Sequence, residues 1–145
     1  MTALLCDAGP LIATFNRRDP HHDSSVLLLG RWPGTLLIPE PVVGETCNFL
    51  RNAVRGGAAL EAQFLTAVTR DTSGFEIVDP VSEDRRRAAE LVEKLMSGPL
   101  GYVDACLIAM AERLGIPDIA TVDFKLLGMA SPVSRLPLRW VLQES

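Results

Sequence analysis

A chain of 145 residues with 48% hydrophobic and 22% charged residues has ordinary globular composition, which excludes general disorder and predicts one domain spanning 1–145. At this length roughly 68 to 70% of the unfolded surface is buried on folding. The net charge of −4 excludes a protein that holds nucleic acid by a broad basic surface, yet leaves room for a nuclease whose clustered acids lower the sum while arginines elsewhere follow phosphates.

The start, Met1-Thr2-Ala3-Leu4-Leu5-Cys6-Asp7, has no basic lead and only a short apolar run before a charge, so it reads as a first strand rather than a signal peptide. Asp23, Ser24 or Ser25 is placed to cap a helix carrying Val26 to Leu29. A second strand near Thr35 to Ile38 leads through Pro39 and Pro41 into a helix, Pro41 suiting its first turn. On that helix Val42, Phe49, Leu50 and Ala53 form the apolar stripe, and Glu45 falls at its margin near Phe49. A third helix from about Ala58 to Val68 precedes the Thr72-Ser73-Gly74 turn and a strand from Phe75 to Val78. The next helix, Ser82 to Met96, takes Ser82 as its cap, exposes Arg85 to Arg87 and turns Ala88, Leu91, Val92 and Leu95 inward. A fifth, from Tyr102 to Ala111, is apolar nearly all round and therefore buried, with Gly115 and Pro117 stopping it. Strands near Ile119 to Val122 and Leu138 to Leu142 finish the chain. Short strands alternating with helical stretches predict an α/β fold, a mostly parallel sheet covered by helices.

Asp7 and Asp123 directly follow predicted strands, Glu45 edges an apolar stripe, and Asp104 is the sole charge of its helix before Glu112. Taken singly, each is explained by a helix cap or turn. For Asp104 that explanation is worth roughly 0.3 to 1 kcal/mol from the helix dipole, small against the several kcal/mol of desolvating a charge on a buried helix. Jointly, the strand-end acids fall at the carboxyl edge of an open sheet, where ligands bind. Carboxylates brought together raise one another's pKa unless they share a cation, so the four read as a divalent-metal site. Cys6, Cys47 and Cys106 are odd in number, far apart and set among apolar neighbours, which suits buried hydrophobes in a reducing cytoplasm. His21 and His22 decorate a loop before a helix. No stretch approaches the 18 or so apolar residues of a membrane span.

Asp7-Ala8-Gly9-Pro10-Leu11-Ile12, Pro39-Glu40-Pro41-Val42-Val43-Gly44-Glu45, Gly101-Tyr102-Val103-Asp104-Ala105 and Ala120-Thr121-Val122-Asp123 resemble, in order and spacing, the successive acidic motifs of the PIN domain. Over essentially the whole chain the pattern is similar to the VapC-type toxins of bacterial toxin–antitoxin pairs. The resemblance implies a three-layer α/β/α domain with a five-stranded parallel sheet and a Mg²⁺- or Mn²⁺-dependent endoribonuclease cleaving single-stranded or looped RNA. It implies Asp7, Glu45, Asp104 and Asp123 as the catalytic and metal-binding set, Asp7 and Asp104 foremost as direct ligands, with Thr121 steadying the site. It also implies a homodimer restrained by a small antitoxin whose tail reaches toward the active site. Two positions depart from the family: Ala8 and Gly9 stand where many members carry Ser, Thr or Asn, and Leu126 and Leu127 replace a common aromatic, with Phe124 earlier.

The donor chemistry suits this reading, because Mg²⁺ takes hard oxygen ligands, usually one or two carboxylates with waters and substrate phosphate. Arg17, Arg18, Arg51 and Arg55, near the ends of the elements carrying Asp7 and Glu45, are the candidates for holding RNA. A haloacid-dehalogenase-type hydrolase needs a second acid where Gly9 stands, and a receiver domain needs further acids and a lysine that are not in place. The remaining alternative is a PIN-like module without catalysis, acting by docking a partner or occluding RNA.

Overall fold

Residues 2–98 and 100–141 are described by a computed structural model, apart from the side chains of Phe124, Lys125 and Leu127. Five strands, β1 (Leu4–Cys6), β2 (Leu36–Pro39), β3 (Phe75–Val78), β4 (Asp118–Ala120) and β5 (Arg139–Trp140), pair in the order β3-β2-β1-β4-β5, every pairing parallel. Because β1 is central and covered on both faces, it is continuously apolar, as buried parallel strands are. Leu4 and Cys6 join the core on one side of the sheet and Leu5 the core on the other, following the period of two along a strand.

Helices α1 (Ala8–Phe15), α2 (His22–Arg31), α3 (Glu40–Ala53), α4 (Gly57–Val68), α5 (Ser82–Lys94), α6 (Tyr102–Leu114) and α7 (Phe124–Ala130) fill the connections. Leu11, Val42, Leu50, Phe64 and Val68 pack on one face; Ala88, Leu91, Leu107, Ile108 and Leu126 pack on the other. The result is the expected three-layer α/β/α arrangement. The chain runs outward from β1 to β2 and β3 on one side, then crosses to β4 and β5, so the topological switch point, where the strand order reverses, falls between β1 and β4.

Several local expectations are corrected. The α2 helix begins at His22, ahead of the proposed caps: Asp19 Oδ1 accepts a hydrogen bond from His21 N at 2.8 Å and starts the turn earlier. On α3 the buried face is Val42, Val43, Thr46 and Leu50, whereas Phe49 is 45% exposed and Ala53 is exposed. Thr46 is buried at low cost because its hydroxyl donates to Val42 O at 2.8 Å, which no polarity count reveals. On α5, Val81 takes the cap position and Ser82 the first turn, while the Asp84 carboxylate accepts from Val81 N at 2.9 Å. Arg87 leaves the solvated face to grip Glu112 with Nε and Nη2, at 2.8 and 3.0 Å, and the Val133 carbonyl at 3.0 Å. β4 ends at Ala120, so Thr121 and Val122 belong to the loop beyond it; Leu142 of the last expected strand lies outside the described residues.

The α5–α6 pair is cross-linked twice, by Arg87–Glu112 and by Arg113 Nε to Asp84 Oδ1 at 2.9 Å. Asp84 is 1% exposed, so Arg113→Met strands a buried carboxylate and is expected to cost about 2–3 kcal/mol, read as a lowered midpoint in chemical unfolding. Unchanged stability would show that the backbone bond from Val81 alone satisfies Asp84. Among the described residues, no helix is long and apolar enough to cross a membrane.

Candidate active site

Asp7 leaves β1 and at once becomes the cap of α1, its backbone extended (φ −81°, ψ 168°) and its Oδ1 accepting from Ala8 N at 2.8 Å. Its backbone N–H donates to Ala120 O at 2.9 Å, tying it to the end of β4. From that strand end, Thr121 Oγ1 donates to Asp7 Oδ2 at 2.7 Å and accepts from Asp123 N at 3.1 Å. One buried hydroxyl thus joins Asp7, at the end of β1, to Asp123, which lies in the loop beyond β4 just ahead of α7 and not at the strand end as expected, across the topological switch. Asp123 Oδ1 accepts from Leu126 N at 3.1 Å, fixing the entry to α7.

Burial pushes the Asp7 carboxyl above its ordinary range, against the lowering effect of the Thr121 and Ala8 hydrogen bonds, and Asp123 adds to the rise. Glu45 approaches from α3. Partial desolvation raises its carboxyl first and the charges of Asp7 and Asp123 raise it further, although much of the side chain meets solvent. Asp104, in the first turn of α6, is pushed up to about 7 by burial, then by Asp7, Glu45 and Asp123, while the Gly101 backbone opposes. The four acids named from the sequence therefore share one electrostatic field at the carboxyl edge of the sheet.

The groups that lower the pKa of Asp7 and Asp104 are hydrogen-bond donors, none of them a cation, and nothing lowers that of Glu45. Among the described residues no cation offsets the like charge around Asp7, Glu45 and Asp104, and like charge on hard oxygen donors is the condition that a shared dication relieves. Among the described residues no three His, Cys, Asp or Glu side chains are drawn into a ready-made cage. A Mg²⁺-type ion needs none, since it keeps most of its waters and uses one or two carboxylates, and each Asp7 oxygen has a lone pair beyond its single hydrogen bond. The donor set fits such an ion.

Thr121→Val keeps the shape of the side chain while leaving Asp7 Oδ2 and Asp123 N without their shared partner. The expected outcome is a loss of about 1–2 kcal/mol in stability, read as a lowered midpoint in chemical unfolding. Thr121→Ser, which restores the hydroxyl, should recover most of that loss; equal losses in both variants would assign Thr121 to packing alone.

In the sequence Gly9 marks only a departure from the family pattern and the absence of a second acid two residues after Asp7. A Cβ there would run into Val122 Cγ2, so Gly9 lets the first turn of α1 press against the loop between Thr121 and Asp123. Composition carries no signal for that contact. The arginines lie elsewhere: Arg17, Arg18 and Arg55 line one groove at the far ends of α1 and α3, while Arg51 pairs with Glu61 at 2.6 Å and stays 56% exposed. His22 Nδ1 lies 2.6 Å from Ala13 O, a packing role.

A parallel sheet of this order with acids at its carboxyl edge defines a class, and the comparisons name it. Residues 4–130 match the PIN domain model, and the chain belongs to that family. Among solved structures it is similar to VapC20 of Mycobacterium tuberculosis, described as a sarcin-ricin loop cleaving toxin, with 19% identity over 86% of this chain and 93% of that one and a TM-score of 0.76. It is similar to VapBC2 from Rickettsia felis bound to a fragment of promoter DNA (15% identity, 95% and 98% covered, TM-score 0.66) and to a toxin–antitoxin complex from Klebsiella pneumoniae (20%, 83% and 86%, 0.61). At such identities the likeness is one of fold. No curated protein matches the chain.

Proposed function

We propose that this chain is a divalent-metal-dependent endoribonuclease, the toxin of a toxin–antitoxin pair, which hydrolyses phosphodiester bonds of single-stranded or looped RNA. The observation that carries the reading is the gathering of Asp7, Glu45, Asp104 and Asp123 at one sheet edge, where burial first and then the charges of Asp7 and Asp123 raise the Glu45 and Asp104 carboxyls. A packing surface gains nothing from such repulsion, whereas a metal-dependent nuclease uses it. Asp7 and Asp104 hold Mg²⁺ or Mn²⁺, assisted by Glu45 and Asp123. When bound, that ion supplies Lewis acidity toward the phosphate and lowers the pKa of a water.

The chain's own contribution is orientation and proton accounting. Thr121 Oγ1–H and Ala8 N–H hold the two Asp7 oxygens in fixed directions. Burial and the neighbouring acids push the Asp104 carboxyl up to about 7, so holding a cation there would require that carboxyl in its ionised form. Neighbours of the same fold that are described as toxins and toxin–antitoxin complexes support the biological role, together with coverage of 93% of the VapC20 chain. Their descriptions support a cleaving toxin and an antitoxin as partner; RNA as substrate, a homodimer as the assembly and the cytoplasm as the place of action complete the proposal.

Induced expression of the wild-type chain is expected to arrest growth, and co-expression of the small protein encoded beside it is expected to relieve the arrest through a stable complex. A well-expressed, soluble wild type that is harmless yet binds that partner tightly would instead make the chain a binding module.

A further inference from the structure

Glu45, Phe49 and Ala53 stand at intervals of four along α3, so they share one face, each about 6 Å further along the helix axis. Phe49 and Ala53 on that face also line an open groove of about 740 Å³ between the C-terminal ends of α1 and α3 and the start of α4. Phe15, Phe49 and Leu60 give it apolar lining, and Arg17, Arg18 and Arg55 line it beside one acid, Asp19. Phe15 is braced from behind by an edge-to-face contact with buried Phe64, at 5.5 Å between ring centres. Phe49, by contrast, is 45% exposed, and no ring packs on it among the described residues. None of these three arginines belongs to an ion pair among the described residues.

The turn that carries Arg55 is held firmly. Gly56 adopts the left-handed backbone (φ 71°) and a Cβ on Gly57 would strike the Leu50 carbonyl, so α3 and α4 meet at close quarters. On a chain of net charge −4, three unpaired guanidinium groups around an exposed aromatic face form a local site for a polyanion with flat apolar units. Single-stranded nucleic acid has that chemistry, since its bases stack on aromatic side chains and its phosphates pair with arginine. The eight residues of α1 separate Asp7 at one end from the groove at the other by about 12 Å, roughly four stacked nucleotides at about 3.4 Å each.

We infer that this groove seats the RNA strand flanking the cut, with a base stacked on Phe49 and phosphates held by Arg17, Arg18 and Arg55. The inference rests on the ribonuclease reading above and adds to it the strand path and the residues that set it. Arg51, paired with Glu61, is left out of the contact set.

The test uses the full chain and a fluorescently labelled single-stranded RNA of mixed sequence, in EDTA so that binding is read without cleavage. Phe49→Ala should weaken binding about tenfold or more, and Phe49→Trp should retain it. The triple variant Arg17→Gln, Arg18→Gln, Arg55→Gln should lower the magnitude of the salt slope by about 2, at roughly 0.7 per phosphate contact on a single strand, while the corresponding lysine triple keeps the slope. All these side chains are exposed or partly exposed, and thermal melts confirm that each variant is folded. Unchanged affinity and slope in the alanine and glutamine variants would overturn the subsite. So would retained RNA affinity with lost binding of the co-expressed small partner, an outcome that gives the groove to a peptide. Cleavage that depends on Asp7 but ignores the groove variants removes the subsite alone. A wild type that binds no single-stranded RNA removes both the subsite and the ribonuclease reading.

Discussion

Purified Asp7→Asn and Asp104→Asn chains are each expected to lose RNA cleavage by more than about 100-fold, the upper end of what removing outer-sphere support alone costs a metal site. The amide keeps the shape of the carboxyl: at Asp7 its oxygen can still accept from Ala8 N, while its NH2 stands where Oδ2 was and meets Thr121 Oγ1 as an acceptor; what it loses is the charge. Because like-charge repulsion falls at the same time, both variants should be as stable as the wild type or more so in EDTA. This pairing of lost activity with retained or improved stability separates a functional acid from a structural one. A variant that lost both together would return Asp7 to the role of helix cap.

The second large effect is an inverted pH dependence. Burial, then the charges of Asp7, Glu45 and Asp123, push the Asp104 carboxyl up to about 7 in the folded chain, from 3.8 for an ordinary aspartate. Its folded value is raised, so its contribution to stability is fully present below 3.8, declines as pH climbs, and is gone above about 7. The interval corresponds to about 4 kcal/mol at 1.36 kcal/mol per pH unit, and partial solvation reduces the expected net change to roughly 1–2 kcal/mol. Asp7 and Glu45 are raised as well and act with the same sign. Glu112 is opposed by its own burial but brought low by Arg87 and Arg135, so it acts with the opposite sign below its ordinary 4.5, outside most of the window. In EDTA, thermal unfolding midpoints should therefore rise as pH is lowered from about 8 to about 5, and Asp104→Asn should flatten the trend. Mg²⁺ should flatten it too, by stabilising the ionised folded form at the upper end. A midpoint that increases with pH across this range in EDTA would mean that the acids do not repel one another as placed.

Much of this was legible in the chain because buried parallel strands and stop signals are local. Leu4-Leu5-Cys6 and Ile119-Ala120 announce central strands by unbroken apolar character, and Gly115 with Pro117 marks the end of α6 through the left-handed backbone at Gly115 (φ 67°). Asp7, Glu45, Asp104 and Asp123 stood out because each is a charge that packing does not require, and the fold brings their fields together. What escaped the sequence depends on partners distant along the chain. Arg87 looks like one of three solvated arginines until Glu112, 25 residues away, is beside it. Phe49 looks like core by its type and spacing, yet Thr46 takes the buried place by returning its hydroxyl to the helix backbone. The gathering of Arg17 and Arg18 with Arg55 depends on the α3–α4 turn folding back beside the end of α1, a tertiary fact with no local signature.

The most direct test of the metal-dependent ribonuclease reading is cleavage of single-stranded RNA by the purified wild-type chain, followed in Mg²⁺, then with excess EDTA, then with Mn²⁺ or Mg²⁺ restored, alongside Asp104→Asn throughout. The predicted result is cleavage that stops in EDTA, returns with the ion, and is absent from the variant under every condition. Cleavage that continues in EDTA, or that Asp104→Asn performs at the wild-type rate, would contradict the account.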